Sequence, residues 1–416
     1  MGLSRMDKIF DNSDVKQTNL PLEGIRVLDL SRALAGPFCA TILADLGAEV
    51  IKIEPGPDGE MVRGWGPFQD GISVYYLSIH RNKKSLSINF RSDEGIDLIR
   101  KMSVSADVIV ENFKPGVMDT MGIGYESLRT TNPRLIFGSI SGFGSSGPYG
   151  DWPGMDQIAQ GMSGLMSITG QPETGPTRVG IPIGDVVAGM WCALGIQAAL
   201  FERTRTNLGQ RVETSLLAGL IGLLTVQGQR QLSLGQVPGV AGNDHPVICP
   251  YGLFEAKDGP FNLAAATEDM WAKLCQLLEL QELISDPRYS SNAARMQNRE
   301  QLKRELNTRF VERNKMDWTL ALVKLGIPAG PIYTLDQVFA DPHVRETGMV
   351  ERIEHPTLGP IELASSPIRM NALRAGVVRS APPLLGQDTR EVLEKLGLSD
   401  SLIEDLFVRK IVYGES

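Results

Sequence analysis

The sequence predicts an α/β fold in which an open, mostly parallel sheet forms a large domain and a smaller α+β domain follows it. Three observations carry this. A strand–helix–strand unit begins at Gly24, two more apolar strands run into glycine- and proline-bearing loops, and beyond Val237 the texture changes to a hairpin followed by helices. With 416 residues, the chain is long enough for two or three such units.

Taken in order, Ile25 to Leu30 is a short apolar strand, and Pro37 suits a first helical turn. Phe38, Ile42, Leu43 and Leu46 then recur at helical spacing, Gly47 stops the helix, and Ala48 to Ile53 is the second strand. This βαβ unit implies parallel strands with a right-handed crossover, and makes the large domain Rossmann-like. Its first turn, Ser31 to Gly36, lacks the G-x-G-x-x-G fingerprint, which disfavours a nicotinamide dinucleotide. Strands at Asp107–Glu111 and Leu135–Ile140 follow, each ending in a loop of the kind that binds ligands at strand carboxyl ends.

Gly142 to Gly184 is rich in Gly, Pro and Ser, with room for a short helix at Gln157–Met166. Val186 to Phe201 is apolar nearly all round, as expected of a helix buried in the protein or at a subunit contact. Tyr251–Ala256 and Pro260–Ala266 read as a hairpin turning at Asp258-Gly259. Thr267 caps a helix opened by Glu268 and Asp269, and Asn298–Arg313 and Asp317–Leu325 give two more. The expected domains are a leader at 1–20, a large domain at 21–225, a linker and small domain at 226–345, and a segment at 346–416 returning to the large domain.

Composition narrows the function. Lys plus Arg total 41 against 49 acids, a net charge of -8, which argues against a nucleic-acid partner. No apolar run in the sequence reads as a membrane span, and Met1 to Leu20 resembles neither a signal nor a transit peptide, so a cytoplasmic protein without a membrane partner is expected. Cys39, Cys192, Cys249 and Cys275 stand far apart and read as buried thiols. Neither they nor His80, His245, His343 and His355 show metal spacing, so no metal is expected. Arg81, Lys83, Lys84 and Arg91, with Lys114 further on, form a local basic patch. It fits either a solvated strand edge, the commoner case, or an anion site.

Asp185, in Gly184-Asp185 before the apolar helix, is the most informative residue. An Asp at that place is ordinarily an N-cap, worth about 1 kcal/mol. The chemistry also allows a nucleophile: with an ordinary carboxylate pKa of about 3.9 it is ionised at neutral pH, and it can attack a thioester carbonyl to form a mixed anhydride. Gly184 leaves room for a substrate, and backbone amides can stabilise the oxyanion.

Ordered blocks along the chain decide between these roles: Gly24–Leu30, Ala35-Gly36-Pro37, Ala44–Glu54, Arg63-Gly64-Trp65, Asn82–Ser85, Ala106–Gly116, Asn132–Ile136, Gly184-Asp185 and Pro383–Gly386. Through them the chain, from about Leu22 to Val412, resembles the family III coenzyme A transferases, a group that includes the 2-methylacyl-CoA racemases. The resemblance implies an interlocked homodimer, no permanently bound cofactor, acyl-CoA and a small carboxylic acid as substrates, and Asp185 as nucleophile. Positions matching coenzyme A contacts are Leu34, Ala35, Ile88, Asn89, Phe90, Arg91, Asn112, Phe113, Lys114, Ser141, Gly142, Phe143 and Gly144.

Departures refine the expectation. Leu34 stands where the formyl-CoA branch has glutamine, Thr120 where it has arginine, and Gly239–Asn243 is a shortened version of its glycine-rich lid. Met155 replaces the histidine that the racemases need before Asp156, and a thioether is no base. Gly242–Pro246 and Pro250–Phe254 look most like the branch using succinyl-CoA and dicarboxylates. The rivals to a transferase are a racemase or epimerase and a coenzyme A-binding protein without chemistry.

Overall fold

The computed structural model describes residues 20–373 and 376–414; apart from Leu20, the leader expected at 1–20 lies outside them. The chain divides into two compact units, one of Met1–Leu165, Val179–Leu234 and Pro342–Ser416, the other of Met166–Arg178 and Gly235–Asp341.

The first unit contributes β1 (Arg26–Asp29), β2 (Glu49–Pro55), a small hairpin of β3 (Phe68–Gln69) and β4 (Ile72–Ser73), β5 (Lys83–Ile88), β6 (Val108–Glu111), β7 (Ile136–Ser141) and β8 (Arg211–Ser215). The second contributes β9 (Tyr251–Ala256), β10 (Gly259–Ala264) and β11 (Ala329–Pro331). The chain then returns through β12 (Val350–His355), β13 (Gly359–Ala364) and β14 (Val412–Tyr413). The principal sheet has the order β14-β5-β2-β1-β6-β7-β8. Its six longer strands are parallel, and β14 closes one edge antiparallel, with Val412 opposite Ile88.

Alternation along the strands explains why the sheet is covered on both faces. Val27, Val50 and Val108 belong to one apolar core, whereas their chain neighbours Leu28, Ile51 and Ile109 belong to the other. The helices of this unit include α1 (Ala35–Asp45), α2 (Val74–Ile79), α3 (Asp93–Ser103), α4 (Asp156–Met162), α5 (Ile183–Thr206), α6 (Leu216–Leu223) and α7 (Thr225–Leu234), of which α1, α3, α4, α5 and α6 bury residues in these two layers. The amphipathic α3 is capped by the Ser92 hydroxyl and carries Asp93 and Glu94 in its first turn and Arg100 and Lys101 in its last, which complements the helix dipole.

Helix α5 corrects one expectation from sequence. It has 24 residues, and an 18-residue window averages a hydropathy of 1.5, enough by length and composition to cross a bilayer. Half of that window is buried: Ala188, Cys192, Ala193, Ile196 and Ala199 join the core that contains α1 and β7. All four cysteines are buried free thiols.

In the second unit β9 and β10 pair across the Asp258-Gly259 turn, with β11 alongside. Phe310 anchors its core, meeting Phe254, Phe261 and Trp318 edge-on at 5.4, 5.1 and 5.4 Å. The Thr267 hydroxyl caps the following helix by accepting the Met270 N–H.

Candidate active site

Because the six strands are parallel, the loops after β1, β5, β6 and β7 all leave one edge of the sheet. The strand order reverses between β1 and β6, and such a switch point opens a crevice. Asn112 spans it: its side-chain oxygen accepts the Arg32 N–H at 2.7 Å and its amide donates to the Arg32 carbonyl at 2.7 Å. The Arg32 guanidinium lies 4.7 Å from the centre of the Phe113 ring, and the Phe113 N–H donates to Glu111 at 2.8 Å.

The structure thus brings every segment expected to meet coenzyme A to this edge. Leu34 and Ala35 are buried at the start of α1. Ile88 ends β5 and is buried, Asn89 accepts the Arg91 N–H at 3.0 Å, Phe90 packs on the core, and Arg91 is exposed. Ser141 accepts the Gly144 N–H at 2.8 Å, and Gly142 meets Gly154 so closely that a methyl would lie 2.5 Å from its Cα. Phe143 stands edge-on to Tyr149 and Trp152 at 6.1 and 6.3 Å. The β5 and β6 loops are three strand spacings apart, about 14 Å, a span suited to an extended ligand.

The basic patch is not one patch. Arg81 is buried in a two-pronged pair with Asp45 at 3.0 and 2.5 Å, Lys83 is buried on Asp29 at 3.0 Å, and Lys84 bridges Glu49 and Glu391. These cations neither line a solvated edge nor wait for an anion, because acids distant in sequence neutralise them. Arg91 and Lys114 remain exposed, and among the described residues neither forms an ion pair.

Asp185 sits at the same edge, since α5 leads back to β8 and its first turn therefore lies at the strands' carboxyl ends. It is the third residue of the helix, not its cap, which is Pro182. The capping acceptor is Asp156, whose Oδ1 takes the Gly184 N–H at 2.7 Å. Gly184 makes room for that carboxylate more than for a substrate, because a methyl there would meet Asp156 Oδ1 at 3.0 Å and Leu220 at 3.2 Å.

The Asp185 carboxylate is half-buried and accepts no hydrogen bond among the described residues. Burial, reinforced by the negative charge of Asp156, pushes its pKa up to about 7, well above the ordinary value expected from sequence. Among the first-turn amides of α5, that of Gly184 is taken by Asp156. Tyr75 faces the same space: burial, then the charges of Asp185, Glu60 and Asp156, push its hydroxyl up to about 12.

Below the edge lies a charged layer that sequence reading missed. Asp29 is fully buried between Lys52 and Lys83, which overcome its burial and hold its carboxyl below the usual range. The Ser31 hydroxyl donates to Asp29, and the Ser31 carbonyl accepts from the Lys52 ammonium. Glu60 accepts the Ala33 N–H at 2.9 Å and so fixes Ala33 in its left-handed conformation, φ 59°, one residue before Leu34. No local pattern announces Glu60, Tyr75 or Asp29, since Ala33 on Glu60, Asp185 near Tyr75 and Lys83 on Asp29 are each distant in sequence.

Residues 22–389 match the model of CoA-transferase family III. The chain belongs to that family. It is 39% identical over 395 residues to mouse succinyl-CoA:glutarate CoA-transferase, spanning 94% of this chain and 90% of that one. It is 37% identical to the succinate–glutarate CoA-transferase of Agrobacterium fabrum, covering 92% and 98% respectively. Among solved structures, a CAIB/BAIF family protein from Brucella suis superposes with a TM-score of 0.80 at 38% identity, covering 91% of this chain and all of that one. This CoA-transferase is therefore an enzyme of mixed α/β fold whose large parallel sheet presents Asp185 and the four predicted loops at one edge.

Proposed function

We propose that this CoA-transferase moves coenzyme A from a succinyl-CoA-type donor to a small carboxylic acid, most favourably a dicarboxylate, with Asp185 as covalent nucleophile. The observation that carries the reading is a half-buried carboxylate at the sheet's carboxyl edge, unpaired among the described residues, in a chain whose relatives include CoA-transferases named for succinyl-CoA with glutarate, D-citramalate and mesaconate. Coenzyme A enters as substrate, and its anionic groups find Arg91 and Lys114 exposed beside backbone amides.

The steps balance without a cofactor. An Asp185 oxygen attacks the thioester carbonyl, the C–S bond breaks, and the thiolate leaves a mixed anhydride. The thiolate then attacks the Asp185 carbonyl, releasing succinate and leaving an aspartyl-CoA thioester. The acceptor carboxylate displaces the thiolate to form a second anhydride, and the thiolate attacks the acceptor's acyl carbon, freeing Asp185. Amides in the first turn of α1, at Ala35 and Gly36, have no intrahelical partner and suit the developing oxyanion. Burial also limits water, to which an anhydride would be lost.

Racemisation is disfavoured because Met155 cannot take a proton, and Asp156 is already committed to Gly184. The test is to incubate the enzyme with succinyl-, glutaryl-, acetyl- and formyl-CoA against a panel of carboxylates, reading products by mass spectrometry. Hydroxylamine should mark Asp185 only when donor is present, and Asp185→Ala should fold yet transfer nothing. Turnover by that variant would refute the nucleophile.

The working unit we propose is an interlocked homodimer. Helix α7 has no buried residue, and Met190, Trp191, Leu194 and Phe201 leave an apolar stripe exposed on α5. Sedimentation velocity checks it: a monomer at micromolar concentration would dismiss the dimer.

A further inference from the structure

The hydrogen bonds around Asp156 form a brace with a fixed sense. Asp156 opens α4, and its Oδ2 accepts from the Gln160 amide one turn on, at 2.7 Å. Gln160 is completely buried, and its oxygen accepts the Val179 N–H at 2.9 Å, so its nitrogen must face Asp156. Asp156 Oδ1 holds the Gly184 N–H. One carboxylate and one amide thereby fasten both ends of the segment that enters α5, while Asp185, the next residue, has no such attachment among the described residues.

We propose that Asp156, braced by Gln160, is a positioning residue for transfer: it takes the helix amide that would otherwise hold the Asp185 carboxylate, and so leaves that carboxylate free to reach the thioester. This rests on Asp185 being the nucleophile. A carboxylate seated on the amides of its own helix is a good cap and a poor nucleophile, because each hydrogen bond it accepts stabilises the anion it must give up. Here the two roles are divided between two acids. The charge of Asp156 also faces Asp185 from α4, and Tyr75 faces it from α2; Leu220 on α6 and the first turn of α1, Ala35 to Phe38, add no ionisable group.

The experiment compares Asp156→Ala, Asp156→Asn and the double variant Asp156→Asn/Gln160→Glu, measuring kcat for succinyl-CoA with glutarate, melting temperature, and the titration midpoint of Asp185 by carboxyl-carbon NMR, assigned with Asp185→Asn. Asn at 156 opposes its amide to that of Gln160, whereas Glu at 160 restores a donor–acceptor pair and still accepts from Val179. Asp156→Ala is expected to lower kcat on the order of a hundredfold and to lower the Asp185 midpoint. The double variant should recover to within about tenfold of the unaltered enzyme. An unchanged kcat and midpoint in Asp156→Ala would overturn the proposal. So would a loss of kcat that follows melting temperature alone, or a folded double variant no faster than Asp156→Asn. Failure of the nucleophile reading looks different: Asp185→Asn would turn over, and the Asp156 variants would shift the midpoint without changing kcat.

Discussion

A methyl group on Gly189 would stand 2.6 Å from the carbonyl oxygen of Ala35, so α5 and α1 meet backbone to backbone at that point. Asp185 lies one turn earlier on the same face of α5, which carries its carboxylate toward the first turn of α1.

Gly189→Ala should therefore separate the two helices. The expected cost is about 1–3 kcal/mol in stability, with a fall in kcat larger than that of KM. Urea unfolding and steady-state kinetics measure both, and a variant of full activity would mean that the spacing is not critical.

The pH dependence follows from Asp185. With its pKa raised to about 7, the carboxyl is protonated below neutrality, so transfer should rise as pH increases through about 7. Stability should run the other way. Between the unfolded value near 4 and the folded value near 7 the native state binds the extra proton, so stability falls as pH rises through that window. Asp185→Asn is expected to melt above the unaltered enzyme at pH 8 and level with it near pH 4, as calorimetry can check.

Asp29→Asn leaves Lys52 and Lys83 buried without their counter-charge. Breaking such a network costs about 3–5 kcal/mol, and the variant should be mostly insoluble or melt far lower. A soluble protein of unchanged melting temperature would show that the layer contributes little.

Arg91→Ala and Lys114→Ala should each raise KM for acyl-CoA on the order of tenfold, the worth of one charge-assisted hydrogen bond. The salt dependence of KM should weaken in parallel. A KM that stays constant across 50 to 500 mM salt, as approximate bounds, would remove these residues from the ligand's reach.

Local signals made the sheet legible. The βαβ unit, the strands ending at Glu111 and Ser141, and the hairpin at Asp258-Gly259 all rest on runs and turns shorter than a dozen residues, and the structure has them within two residues. The site was legible only as an edge with Asp185 on it. Its cap is supplied by Asp156, and its pKa is set by burial, neither of which follows from neighbours in sequence. The same holds for Arg81, Lys83 and Lys84, whose partners Asp45, Asp29 and Glu391 lie tens to hundreds of residues away. A run of cations states how much charge is present but not what neutralises it.

The pairing of Asp388 and then of β14 with β5 places the closing of one sheet edge late in the order of synthesis. β1, β6 and β7 have their parallel neighbours by Ser215, whereas the strand that delivers Ile88 to Arg91 keeps an open hydrogen-bonding flank until the chain reaches Asp388, which pairs with the Ser85 backbone. A ribosome stalled before that residue would hold a nearly complete sheet with one sticky flank, a natural target for chaperones.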